Sequence, residues 1–131
     1  MAFTYRQKIK FRHCDPAGIV FYPRFFEMTN DTVEAFFEQE MAFPFSQMHQ
    51  ASGIPTAQIE AKFKRPSRLG DILDITLTCT RVGRSSLDLS YQAVCGTEAR
   101  FSATSTIVFI DAQGASTPWP DHIRSRLETH L

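Results

Sequence analysis

The sequence predicts a single α+β domain over residues 1–131, with an antiparallel sheet of about five strands wrapped around one long helix. Three observations carry that expectation. Residues 3–11 alternate apolar and polar side chains with period two. Residues 23–40 change to helical spacing, and four more alternating segments then run to residue 110 with no second helical stretch among them. A sheet with one apolar face needs a cover, which the long amphipathic helix can supply.

In FTYRQKIKF (3–11), Phe3, Tyr5, Ile9 and Phe11 share one face, while Thr4, Arg6, Lys8 and Lys10 share the other. The stretch from 13 to 23 reads as a loop. From Pro23 to about Glu40, residues Phe26, Thr29, Val33, Phe36, Phe37 and Met41 form one helical stripe, opposite Glu27, Asp31, Glu34 and Glu38. Pro23 suits the first helical position, where its missing N–H costs nothing. Such a helix is about 27 Å long. FPFSQMHQASGIPT (43–56) ends it with prolines and a glycine.

The inward sets of the later strands are Ala57, Ile59, Ala61 and Phe63, then Leu73, Ile75, Leu77 and Cys79, then Leu87, Leu89, Tyr91 and Ala93. FSATSTIVFI (101–110) ends apolar on both faces, as a central strand would. The separators RPSRLGD, RVGRSS and CGTEA carry turn chemistry. A short helix is expected around 120–129.

Apolar residues make up 43% of the chain and charged residues 21%, with a formal net charge of zero. This is ordinary globular composition and gives no reason to expect nucleic acid or a membrane surface as a partner. The N-terminus is polar within five residues and lacks a signal peptide's apolar core. No apolar run approaches the roughly 18 residues of a membrane span. Three widely spaced cysteines without a CxxC argue against a disulfide framework, so a cytoplasmic location is expected.

His13-Cys14-Asp15 has the residue types of a cysteine-nucleophile triad, but neighbours on extended backbone point to opposite faces and cannot align as one. Cys14 therefore reads as structural. The four histidines show no metal-ligand spacing, and no glycine-rich nucleotide loop is present, so no metal or cofactor is expected.

Asp15 admits two readings. Asp-Pro-Ala-Gly is good turn grammar. The run after Gly18 also opens the long helix, whose first N–H groups lack partners and favour negative charge. An acid beside such donors is the minimum equipment for attack on a carbonyl.

DPAGIVFYPRF (15–25) resembles the signature loop of the 4-hydroxybenzoyl-CoA thioesterase family of hotdog-fold proteins. The resemblance extends over most of the chain, and FKRPSRLGD (63–71) is similar to a Pro-x-x-x-Gly-Asp segment shared more broadly among hotdog thioesterases. It implies a hotdog fold and acyl-CoA thioesterase activity on an aryl- or short- to medium-chain substrate. Asp15 then occupies the position of the catalytic carboxylate, either as nucleophile or as general base for water. Tyr22 occupies the position whose backbone N–H polarises the thioester carbonyl. No cofactor is implied, since coenzyme A is part of the substrate.

The resemblance also implies a dimer with active sites at its interface, commonly paired into a homotetramer. Arg84, in the VGRSS turn with Ser86, is the expected phosphate partner; Lys62, Lys64, Arg65 and Arg68 are the other basic candidates. Gly18, Phe21 and Pro23 belong to the substrate loop, and Phe43 and Phe45 are expected to meet the acyl group. Two alternatives stand beside this reading. A hotdog dehydratase needs a histidine-carboxylate pair, and His13 is too close to Asp15 and on the wrong parity. A non-catalytic acyl-CoA-binding or regulatory module would keep the fold without turnover.

Overall fold

A computed structural model describes residues 2–131. Strand β1 (Phe3–Lys8) leads through a 3-10 turn (Phe11–His13) and a loop into helix α1 (Pro23–Gln39). A short helix α2 (Phe45–Met48) and a two-residue strand β2 (Ser52–Gly53) follow. Then come β3 (Thr56–Phe63), β4 (Ile72–Val82), β5 (Ser86–Cys95) and β6 (Glu98–Val108). A two-residue β7 (Ile110–Asp111) and helix α3 (Asp121–Glu128) close the chain. Five strands form one antiparallel sheet in the order β1-β4-β5-β6-β3, while β2 pairs with β7. Among the described residues, no helix is long and apolar enough to cross a membrane.

The expected alternation holds in β4 and β5. Leu73, Ile75, Leu77, Cys79, Leu87, Leu89, Tyr91 and Ala93 are all buried, facing α1. The register sets large residues against small ones, Tyr91 opposite Ala103 and Ala93 opposite Phe101, so side chains of unequal size share the inner face. Register shifts between Cys79 and Arg81 and between Ala93 and Val94 add local twist, which helps the sheet curl around the helix. Burial pushes the Cys79 thiol up to about 11, so it packs as a neutral apolar group.

Helix α1 begins at Pro23 as expected and buries Phe25, Met28, Thr29, Thr32, Val33, Phe36 and Phe37 against the sheet. Phe25, not Phe26, is the deep member of its first turn: Phe25 packs on Phe101 at 4.7 Å, while Phe26 stays half-buried at the groove beside β3. Thr32 survives at full burial because its hydroxyl donates to the Met28 carbonyl at 2.8 Å.

Two expectations fail for physical reasons. Strand β1 stops at Lys8, where its partner β4 begins at Ile72, and the chain turns instead of continuing to residue 11. Phe11 is consequently 83% exposed, and Gln7 takes a buried place on the strand. In β3 the parity is right but the cover is missing. Phe63 turns towards α1, with ring contacts to Tyr22, Phe25 and Phe26. Yet it remains 47% exposed and Ile59 40%, because β3 is an edge strand with only β6 beside it.

Past the helix, Ala42 adopts φ 51°, the left-handed conformation that lets Phe43 N–H reach the Phe37 carbonyl at 2.9 Å. Alanine carries a Cβ penalty there that glycine avoids. Ala42→Gly is therefore expected to stabilise the fold by about 0.5–1 kcal/mol, measured by urea denaturation; an equal or lower midpoint would remove this account of the helix end.

Candidate active site

Residues 13–21 form a small hairpin. Cys14 pairs with Val20, Asp15 N–H donates to the Ile19 carbonyl at 2.9 Å, and Phe21 N–H donates to the His13 carbonyl at 2.9 Å. The tip is Asp15-Pro16-Ala17-Gly18, closed by Gly18 N–H on the Asp15 carbonyl at 2.9 Å. Gly18 has φ 79°, the left-handed residue that a three-residue hairpin loop requires after its turn. Asp15 Oδ1 accepts the Ala17 N–H at 2.9 Å. Its Oδ2 makes no hydrogen bond to any described residue, and the side chain is half-buried. One carboxylate oxygen thus builds the turn and the other is available.

The hairpin hands over to the helix in a way that isolates one donor. Phe21 N–H is taken by His13, Pro23 has no N–H, Arg24 N–H returns to the Phe21 carbonyl at 2.9 Å, and Phe25 N–H returns to Tyr22 at 3.1 Å. Among the described residues, Tyr22 N–H has no acceptor. Tyr22 already has helical backbone angles, φ −53° and ψ −34°, so this donor stands at the positive end of a 17-residue helix.

His13 and Cys14 do not join Asp15 in a side-chain relay. His13 is buried, and its Nδ1 accepts the Lys10 N–H at 2.8 Å, a bond that puts the ring proton on Nε2. Cys14 Sγ lies 3.7 Å from the Lys10 carbonyl. Among the described residues no cluster of three His, Cys, Asp or Glu side chains could hold a metal ion.

Two cavities run along the groove between α1 and β3. One, of about 260 Å³, lies beside Tyr22 and is lined by Val20, Phe25, Phe63, Pro66 and Ser67, with Lys64 and Arg65 at its edge. The other, of about 210 Å³, lies farther along the helix between Phe26, Val33, Ile54, Ile59 and Ile107. Tyr91 and Ser105 also line it, joined by a hydroxyl-hydroxyl bond of 2.8 Å. Burial pushes the Tyr91 phenol up to about 12, so it stays neutral. The aromatic contact between Phe26 and Phe63, 6.3 Å between centroids, stands between the two cavities.

The structure brings Asp15, Gly18, Phe21, Tyr22 and Pro23 together on one hairpin and helix start. It does not bring the other expected residues there within one chain. Phe43 and Phe45 lie past the far end of α1, against Phe109 and Phe37. Arg84 and Ser86 lie at the β4–β5 turn, where the Arg84 carbonyl accepts Trp119 N–H and the Ser86 carbonyl accepts Trp119 Nε1–H. That turn is one full length of β4, 11 residues or about 36 Å, from the end where residues 63–72 meet the hairpin. Sequence reasoning does not single out Phe63 and Ser67, at the Tyr22 cavity, as site residues; their only signal is their place around the Pro66–Asp71 segment.

The sequence profile of the Thioesterase-like superfamily matches residues 9–127. The chain belongs to that superfamily. It is a thioester hydrolase with the hotdog fold. It is 26% identical, over 99% of its length and 89% of the relative's, to a 1,4-dihydroxy-2-naphthoyl-CoA hydrolase from Nostoc punctiforme. A second protein of that name, from Trichodesmium erythraeum, is 30% identical over 70% of this chain and 67% of its own length. Among solved structures, a 1,4-dihydroxy-2-naphthoyl-CoA thioesterase from Synechocystis superposes with a TM-score of 0.89 at 20% identity, covering 97% of this chain and 96% of that one. The gentisyl-coenzyme A thioesterase BH1999 gives 0.88 at 25% identity, with 95% and 99% covered.

Burial, and after it the nearby Arg12 guanidinium, holds the His13 imidazole below its ordinary value of 6.5. The unfolded chain therefore binds a proton that the folded chain resists, and stability contributed by neutral His13 falls as pH drops below about 6.5. Protonation also places a hydrogen on Nδ1 and removes the bond to Lys10. Thermal unfolding from pH 7.5 to 5 is expected to show this fall in wild type and a flatter profile in His13→Gln; parallel profiles would show that His13 does not govern the hairpin base.

Proposed function

We propose that this thioester hydrolase cleaves an aryl- or short- to medium-chain acyl-CoA, with Asp15 as the reacting carboxylate and Tyr22 N–H as the electrophilic donor. The supporting observation is that the hairpin and the helix start it feeds leave two groups unused among the described residues: the Oδ2 of Asp15 and the N–H of Tyr22. A thioester carbonyl oxygen on Tyr22 N–H gains charge stabilisation as the tetrahedral carbon forms. The carboxylate then attacks the carbonyl carbon directly, giving a mixed anhydride that water hydrolyses, or removes a proton from an attacking water. In both routes the C–S bond breaks and coenzyme A departs as a thiolate, so no cofactor enters.

The α1/β3 groove supports the acyl assignment. Its apolar walls suit a ring or a short chain, and the relatives' names specify aromatic acyl groups for those proteins. The separation of Arg84, Phe43 and Phe45 from Asp15 supports a dimer. An antiparallel contact between two β3 edges reverses one copy against the other and carries its Arg84 end towards this hairpin. The uncovered Ile59 and Phe63 on that edge support the same contact. Pairing of dimers into a tetramer, and a cytoplasmic location, rest on the resemblance and the composition.

Thiol release from a panel of aryl- and straight-chain acyl-CoAs tests the reading. A side-chain amide keeps an oxygen acceptor for the Ala17 N–H, so Asp15→Asn leaves the turn intact. The variant is expected to lower kcat by roughly 10²–10⁴-fold while acyl-CoA still binds. Undiminished turnover would remove Asp15 from the chemistry; binding without any hydrolysis in wild type would favour the acyl-CoA-binding module. Sedimentation of the same preparation is expected to show at least a dimer, and an active monomer would contradict the edge contact.

A further inference from the structure

The Pro66–Asp71 segment resembles a motif shared widely among hotdog thioesterases, and the reaction proposed above uses none of its side chains. Its connections explain what it does. Arg100, on β6, sends Nη1 to three acceptors: Asp71 Oδ2 at 2.7 Å, the Pro66 carbonyl at 3.2 Å and Ser67 Oγ at 3.2 Å. Its Nε lies 2.8 Å from Glu98 Oε1, an ion pair without hydrogen-bond geometry. Its backbone carbonyl accepts the N–H groups of Lys64 and Arg65 at 2.9 and 3.2 Å. One residue therefore grips both ends of the 64–71 loop.

Asp71 completes the grip. The same Oδ2 accepts the Arg68 N–H at 2.9 Å, and the Asp71 carbonyl accepts the Ile9 N–H at 2.7 Å. Gly70, at φ 91°, makes the bend that lets its own N–H reach the Ile9 carbonyl. The fixed loop then holds the second leg of the Asp15 hairpin. The carbonyl of Ser67, only 1% exposed, accepts Val20 N–H at 2.9 Å, and Ile19 bridges to Arg68. Val20 is two residues before Tyr22.

We infer that Arg100 and Asp71 are positioning residues for thioester hydrolysis: through Ser67 and Val20 they set where the Tyr22 N–H stands relative to Asp15. The inference rests on the site reading proposed above. Neither residue lines the cavities along the groove. A planar guanidinium can hold several acceptors in one rigid geometry, which an ammonium cannot. A displacement of about 1 Å at a reacting group is enough to cost on the order of 10²-fold in rate.

The experiment compares wild type, Arg100→Lys, Arg100→Gln, Asp71→Asn and the Arg100→Gln/Asp71→Asn double variant in thiol release from the preferred acyl-CoA, with Asp15→Asn as control. Each single variant is expected to lose kcat by roughly 10–10²-fold with KM changed by less than about threefold. The double variant should lose no more than the worse single, because the two residues act as one unit. Amide exchange supplies a readout apart from turnover: Val20 N–H should exchange faster in the variants, while Leu89 and Tyr91 amides in the central strand stay protected. If Arg100→Gln fails to fold, Arg100→Lys and Asp71→Asn carry the same comparison. Wild-type kcat in folded single variants, additive losses in the double variant, or losses confined to KM would each overturn the positioning role. Loss of activity in Asp15→Asn alongside wild-type kcat in the Arg100 and Asp71 variants would overturn this inference alone, whereas full activity in Asp15→Asn would overturn the site reading.

Discussion

Burial of one helical stripe against one concave sheet face sets where everything else stands. Met28, Phe36 and Phe37 on α1 are wholly buried, as are Leu73, Ile75 and Leu87 on the strands facing them. Each contributes about 1.5–3 kcal/mol of transfer free energy relative to exposure. The helix cannot slide or rotate without uncovering several at once, so its N-terminus is held at a fixed place on the rim of the sheet. The same packing leaves β3 as a thinly covered edge and opens a groove beside it. A stable core and an accessible helix end are thus two consequences of one packing arrangement.

At that rim, local chemistry determines what is left available. The His13 carbonyl consumes the Phe21 N–H, Pro23 has none to offer, and the first helical turn consumes those of Arg24 and Phe25. Among the described residues, the donor left without an acceptor there is the Tyr22 N–H. On the opposite leg, Asp15 spends one oxygen on its own turn and keeps one free. The turn reading and the catalytic reading of Asp15 are therefore compatible: the structural bond to Ala17 orients the carboxylate, which is what a reacting group needs.

Much of the fold is legible in the sequence because its strongest signals are local. Period-two patterning in 72–95 and the Pro23 start of α1 follow from side-chain geometry within a few residues. What the pattern cannot carry is coverage. Ile59 and Phe63 alternate as well as Leu73 and Ile75 do, but burial depends on what lies beside and above a strand, and β3 has a neighbour on one side only. Phe11 continues the parity of β1 past the point where β4 can pair with it. The grouping of Asp15 with Tyr22 is legible because a short span of chain holds them together. The distance of Arg84 from both, and the role of Arg100 at a separation of 29 residues from Asp71, depend on strand order and length, which no local motif records.

Whether a thioester carbonyl sits on the Tyr22 N–H can be read by amide NMR with a CoA ketone in which a methylene replaces the thioester sulfur, so that no thiolate can leave. On titration with this analogue, the Tyr22 amide resonance is expected to move strongly downfield as it gains an acceptor, while Phe21, already bonded to His13, moves little. Saturating binding with the Tyr22 resonance unmoved would place the carbonyl elsewhere and contradict the account.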